Sequence, residues 1–417
     1  MKLKLSKSEF LNNVSTQMLG TGIAQLLPLL VMPILTRLYS EQEFAIYTTF
    51  LAYSAVLIVA AGGRYHIAIL LPKNQDDAFK VFRLSNILTF CYSVLLLIIS
   101  FIVYYTLENP LNRHGLIFAI PIYVYIFGIW QSHFNFAVRR KSFNITATSK
   151  VIQSGMYAGL SGALGLVITS IGLIVGKVLG VLSSLLYIKK RIELPNEKVD
   201  LKEIKKIASK YSDYPKFSII PAFLDTLSLQ ALVILIGYYY SELELGYFGL
   251  TNMCFTAPLA LVGVSFRDVF YQHITALINN NKATEAKSFF VKSTLGLAII
   301  GVLIFIVLFF LGEFLFALVF GDKWITSGKF ASILAISLTV RLIVSPLSST
   351  LNATNRVKIA SLWQFTYFVT TFSVLLTAIL VLKVDIYGLL KIYVIHEIIL
   401  YSVYYLLQYN SFKRVII

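Results

Sequence analysis

The sequence predicts an all-α integral membrane protein with twelve transmembrane helices in two lobes of six. Three observations carry this. Of 417 residues, 57% are hydrophobic and only 13% charged, against about 25% charged in a soluble domain. Mean hydropathy is +0.77, so the solvent for most of the chain is lipid. Apolar stretches of the length that crosses a bilayer, about 20 residues each, recur along the whole chain. One long polar interruption, 189–216, divides them into two equal sets.

In order, the apolar stretches run 13–36, 44–63, 84–107, 115–137, 148–168, 170–188, 217–240, 246–266, 290–312, 330–351, 360–382 and 386–408. The first follows a basic N-terminus, MKLKLSKSEFLNN, and is too long for a signal-peptide core, so it is expected to be retained. The fifth and sixth are divided only by Thr169-Ser170-Ile171-Gly172. Charge distribution supports the split. With the N-terminus cytoplasmic, cytoplasmic loops and tails hold 28 Lys/Arg and outer ones hold 5. That asymmetry fits twelve spans with both termini cytoplasmic. Merging the fifth and sixth stretches would invert everything after them.

The interruption KKRIELPNEKVDLKEIKKIASKYSDYPK places Leu201, Ile204, Ile207, Ala208 and Tyr211 on one helical face. Asp200 and Glu203 form a D-x-x-E start of the capping-box type. The expected organisation is therefore an N-terminal lobe (1–188), a cytoplasmic amphipathic linker lying on the membrane surface (189–216) and a C-terminal lobe (217–417). The lobes echo each other. SEQEFAIY (40–47) follows the first helix of one, and SELELGYF (241–248) follows the first helix of the other. Two halves of matching orientation form a parallel repeat, an architecture of transporters.

The net charge of +16 does not indicate nucleic acid, because the basic residues occupy short loops between apolar spans. Cys91 and Cys254 both lie in apolar spans, so neither a disulfide framework nor a metal cluster is expected. Walker A and Asp-x-Asp motifs are absent, outer loops are short, and the Asp76-Asp77 pair reads as cytoplasmic and isolated. These features argue against an enzyme and against ATP-driven transport.

Several long stretches resemble the bacterial Wzx-type polysaccharide flippases of the multidrug/oligosaccharidyl-lipid/polysaccharide exporter superfamily. They are PILTRLYSEQEFAIYTTFLA (33–52), GGRYHIAILLPKNQDDAFKVFRLS (62–85), GYFGLTNMCFTAPLALVGVSFRDVFYQHI (246–274) and FGDKWITSGKFASILAISLTVRLIVSPLSSTLNATNR (320–356). His66 departs from the acidic or polar residue usual at its place. The resemblance implies two six-helix lobes around a central cavity that opens alternately to either side. It implies a location in the bacterial cytoplasmic (inner) membrane and an undecaprenyl-pyrophosphate-linked oligosaccharide moved to the outer leaflet for O-antigen, lipopolysaccharide or capsule assembly. Coupling to a proton or sodium gradient, with no bound cofactor, follows from the same resemblance, as do a polysaccharide polymerase and a chain-length regulator as partners.

A pyrophosphate cannot cross hydrocarbon unshielded, and Lys and Arg make charge-assisted bonds to phosphate. Lys177 and Arg341 lie near mid-depth, one in each lobe, and are the leading substrate-binding candidates. Two other readings stay open: an ion pair with Asp225 or Glu397, or snorkelling of Lys177 to an interface. Lys391, in the outer third of the last helix, reads first as a snorkelling lysine. Arg37 and Arg64, at the ends of the first two helices, read as cavity-mouth residues or interface anchors. Asp225 and Glu397 are the deepest carboxylates and the candidates for ion coupling. Gln131, His133 and His396 read first as packing residues. Gly155, Gly159 and Ala163 form a small-residue row suited to close helix packing. A drug exporter on the same fold remains the main alternative, ahead of a membrane glycosyltransferase or polymerase.

Overall fold

The computed structural model describes residues 7–106, 110–195 and 200–414. Its α-helices are α1 (Lys7–Leu38), α2 (Glu41–Ile58), α3 (Tyr65–Ala68), α4 (Gln75–Thr106), α5 (Ala119–Arg139), α6 (Phe143–Gly165), α7 (Thr169–Arg191) and α8 (Leu201–Lys210). There follow α9 (Asp213–Tyr239), α10 (Glu242–Asn279), α11 (Ala283–Phe320), α12 (Ile325–Val344), α13 (Ser349–Ala353), α14 (Val357–Leu376) and α15 (Ile386–Asn410). Each of the twelve predicted spans falls on its own long helix, with α3, α8 and α13 as short additions. Among the described residues nine helical segments are long and apolar enough to cross a membrane, or ten when the bent α2–α3 pair counts as one. Their outer faces carry exposed Phe90, Ile98 and Ile102 on α4 and Ile299, Phe310 and Leu318 on α11. Apolar exposure on this scale suits lipid rather than water.

The chain divides into two compact units, Met1–Thr226 and Leu227–Ile417. The division falls inside α9, beyond the polar interruption. Within the first unit α2 stops at a Gly62-Gly63-Arg64 break whose residues have φ of 61°, 58° and 61°, and the axis bends by 51°. Glycine suits that left-handed backbone. At Gly62 a Cβ would also press on the Ser85 hydroxyl. The loop after α3 is organised by one side chain. Arg139 donates to the carbonyls of Ile69 (3.3 Å), Leu70 (3.2 Å), Pro72 (2.6 Å) and Asn74 (2.9 Å).

The fifth and sixth spans do separate, but at Leu166–Ile168 rather than at Thr169–Gly172. The two helices then pack tightly through Gly176 and Gly180. A Cβ at either would collide with α6, at Ser161 and at the Gln153 carbonyl respectively. The predicted small-residue row on α6 does not do this work. Gly159 is exposed with nothing within 4 Å of its Cβ position.

The repeated SEQE and SELE segments are capping boxes. Ser40 Oγ accepts from the Glu43 backbone N–H (3.3 Å) while Glu43 accepts from Ser40 N–H (2.7 Å). Ser241 and Glu244 repeat this at 3.2 and 2.8 Å. Each box satisfies otherwise orphaned donors at a helix start, so the echo between halves has a structural cause.

The amphipathic helix α8 is docked on the first unit. Asp200 caps it, accepting from Lys202 N–H at 3.4 Å, but Glu203 pairs with Lys80 (3.2 Å) instead of completing a box. Lys210 pairs with Asp77 (2.8 Å), and Tyr65 donates to the Ala208 carbonyl (2.9 Å). The Asp76-Asp77 pair is therefore not isolated, since Asp76 also holds Lys80 at 2.8 Å. Of the expected apolar face, Ile207 is buried and Leu201 is exposed.

Candidate functional site

Each unit holds charged groups inside its apolar helices. In the first unit, Lys177 on α7 is half-buried, with its Nζ 5.4 Å from the Tyr157 ring centroid on α6. Tyr157 in turn stacks on Tyr47 of α2, centroids 6.0 Å apart. Among the described residues of the first unit no carboxylate lies within ion-pair distance of Lys177. Of its two predicted carboxylate partners, Asp225 lies in the same unit and is not paired with it. Two turns further along α7, Trp130 of α5 donates to Ser184 (2.8 Å) and to Ser149 of α6 (3.2 Å), tying α5, α6 and α7 together. A second lysine sits in the same bundle. Lys150 on α6 donates to Thr21 Oγ1 of α1 at 3.0 Å and lies over Phe134 of α5 at 5.2 Å.

The second unit holds a different kind of centre. Glu397 on α15 is fully buried. Its Oε2 lies 3.7 Å from Arg341 Nε on α12, and its Oε1 accepts from the Tyr367 hydroxyl on α14 at 2.8 Å. His396 Nδ1 is 4.0 Å away, while its Nε2 meets Thr370 Oγ1 at 3.2 Å. Trp363, Tyr401 and Tyr404 wall the site, with Trp363 and Tyr404 stacked at 4.2 Å. A buried carboxylate is costly unless paired and hydrogen-bonded; here Oε1 is hydrogen-bonded to Tyr367, and Oε2 has the Arg341 charge but no hydrogen bond among the described residues. Of the alternatives open for Arg341, the pair with Glu397 is the one formed.

The other predicted residues stand apart from these centres. Arg37 is exposed and folds onto its own helix, donating to the Pro33 carbonyl at 2.6 Å, as basic residues do at helix C-termini. Arg64 occupies the left-handed break after α2, and its buried Nε has no hydrogen-bond partner among the described residues. Lys391 is exposed on α15, and Asp225 is half-buried on α9. His133 is a packing residue, bonded to the Ile129 carbonyl (2.8 Å) and edge-on to Phe82. Gln131 is half-buried on α5.

Sequence reasoning missed Lys150, which falls inside the fifth predicted span, 148–168, but counts there with the cytoplasmic charges before it. It also missed the aromatic partners. Lys150 and Tyr157 are spaced i,i+7, one helical face. That spacing was the available signal.

The comparisons accord with this architecture. The polysaccharide biosynthesis protein family matches residues 34–329. The chain belongs to that family. No curated protein matches it. Solved structures that resemble it include the lipid II flippase MurJ in an inward closed conformation, with a TM-score of 0.71 and 14% identity over 96% of this chain and 89% of that one. An inward-facing multidrug resistance MATE transporter of the MOP superfamily gives 0.69 and 12% over 94% and 95%. A MOP superfamily transporter from Pyrococcus furiosus, described by a binding pocket of reversed polarity, gives 0.63 and 12% over 97% and 96%. The polysaccharide biosynthesis protein described here is thus a multi-pass, all-α membrane protein with the MOP-type fold.

Proposed function

We propose that this chain is a flippase that moves an undecaprenyl-pyrophosphate-linked oligosaccharide from the cytoplasmic to the outer leaflet of a bacterial inner membrane by alternating access, supplying repeat units for O-antigen or capsule assembly. The observation that carries the reading is Lys177. In a polysaccharide biosynthesis protein, its amine is held inside an apolar helix by a tyrosine ring, with no described carboxylate of its own unit neutralising it. A ring face offsets only about 0.5–2 kcal/mol, whereas removing an ammonium from water costs several kcal/mol. A lipid-linked pyrophosphate offers the missing counter-charge. Arg341 takes a secondary part, because Glu397 already balances it. Arg37, Arg64 and Lys391 remain candidates for contacts along the route, and the membrane-bound polymerase that consumes the repeat unit is the expected partner.

The runner-up, a drug-cation exporter on the same fold, needs an uncompensated acidic site. The fully buried carboxylate, Glu397, is instead compensated by Arg341. Complementation of a strain lacking its own flippase, scored by surface polysaccharide, tests the proposal. Wild type should restore the polymer and Lys177→Ala, at equal expression, should not. Failure of wild type in strains making several different repeat units, together with restored drug resistance in an exporter-deficient strain, would replace this reading with the runner-up.

A further inference from the structure

The first unit carries a second amine that shares the features of Lys177. Lys150 is half-buried two turns into α6. It lies over the Phe134 ring, and its one described hydrogen bond goes to the Thr21 hydroxyl. An ammonium has three donors, so two are left for a ligand. No carboxylate among the described residues of the first unit is within ion-pair distance of Lys150. Lys150 and Tyr157, the ring beneath Lys177, lie on one face of α6 seven residues apart, roughly 10 Å along the axis. Lys150 and the ring that holds Lys177 thus stand two turns apart on α6, at two positions along the helix.

The α5 surface beside Lys150 is suited to a sugar. Phe127, Trp130 and Phe134 follow one another with centroids 5.2 and 5.0 Å apart. Phe127, Gln131, Phe134 and Asn135 are all half-buried, on the opposite side of α5 from its exposed Ile122 and Tyr125. Ring faces with amide groups between them offer stacking and hydrogen bonding together.

We infer that Lys150 is a second anion-binding residue on the transport route, a station the pyrophosphate occupies before Lys177, with the first sugar lying against the α5 aromatic face. On the orientation given by the charge bias, α6 starts at the cytoplasm, so Lys150 is the earlier contact. The inference rests on the proposed flippase reading and deepens it. Both amines lie against aromatic rings, an arrangement that leaves them open to a passing anion.

The test uses the full-length protein in nanodiscs, with farnesyl pyrophosphate as probe and Lys358→Gln, on an exposed lysine, as control. Lys150→Gln should weaken binding about tenfold, and Lys150→Arg should keep most of it. Amine-reactive labelling of the wild type, read by mass spectrometry, needs no variant to fold: the probe should protect both Lys150 and Lys177. If wild type binds the probe while Lys150→Gln binds equally well, or Lys150 labels at the same rate with and without probe, this inference is overturned and the flippase reading stands. If wild type does not bind the probe at all, the pyrophosphate reading itself falls, and this inference with it.

Discussion

Arg341 and Glu397 face each other across α12 and α15, Nε to Oε2 at 3.7 Å, with the carboxylate fully buried and the guanidinium 23% exposed. Removing one member of a buried pair leaves the other uncompensated, at about 3–5 kcal/mol, while replacing both by apolar residues is often neutral. The long contact and partial exposure of Arg341 put this pair at the lower end. Arg341→Met should therefore lower the apparent melting midpoint more than the double variant Arg341→Met/Glu397→Met does. A double variant as unstable as the sum of the singles would show that the pair is not coupled.

The same carboxylate is the better placed of the two ion-coupling candidates. Around Glu397 stand Arg341 from α12, Tyr367 from α14, and His396, Tyr393 and Tyr401 from α15. Protonating Glu397 would release Arg341, and transport with such a step would respond to the proton gradient. Glu397→Gln should remove that response in a proteoliposome flipping assay while leaving gradient-independent exchange. Asp225→Asn, in α9, is the parallel arm. An unchanged pH profile in both would end the assignment of coupling to these residues.

Helix spacing gives a pair of opposite expectations. Gly176→Val places branched carbons against Ser161 at a contact that already excludes a Cβ, and overpacking costs about 1–3 kcal/mol. Gly159→Ala meets nothing within 4 Å and gains helix propensity of about 1 kcal/mol at most. Thermal unfolding in detergent should show a clear loss for the first and none for the second. Equal losses would mean that α6 and α7 do not pack through Gly176.

The element count was legible because lipid imposes one rule, about twenty apolar residues per span, and because basic residues mark the loops. Helix ends were less so. α4, α10 and α11 run well past their apolar cores, since a polar turn outside the membrane continues a helix without changing hydropathy. That is why Asp77, in the first turn of α4, reads as a loop residue. Lys177, Arg341 and Glu397 stood out as charges in apolar surroundings. Which of them pair depended on contacts between helices far apart in sequence, and no periodicity reports those. The capping boxes were visible as a repeat, but S-x-x-E carried its explanation in its spacing.

The docking of α8 on α4 is held at its two ends by Lys80–Glu203 and Lys210–Asp77, with the Tyr65–Ala208 bond between them. Exposed pairs of this kind are screened by salt, so α8 should become more accessible to trypsin as ionic strength rises. Asp77→Lys should produce the same accessibility at low salt. Adding Lys210→Asp should restore protection by re-forming the pair with its charges exchanged. The hydrogen bond from Lys210 to Asp77 raises the amine above its ordinary value of 10.5. Its contribution is therefore complete below that value and is lost only as pH climbs through the raised one, so protection should hold across the neutral range and fail in strong alkali. If the charge-exchanged variant stays as accessible as Asp77→Lys alone, the Asp77–Lys210 contact does not hold α8 in place, and Tyr65 with the buried Ile207 carries the docking instead.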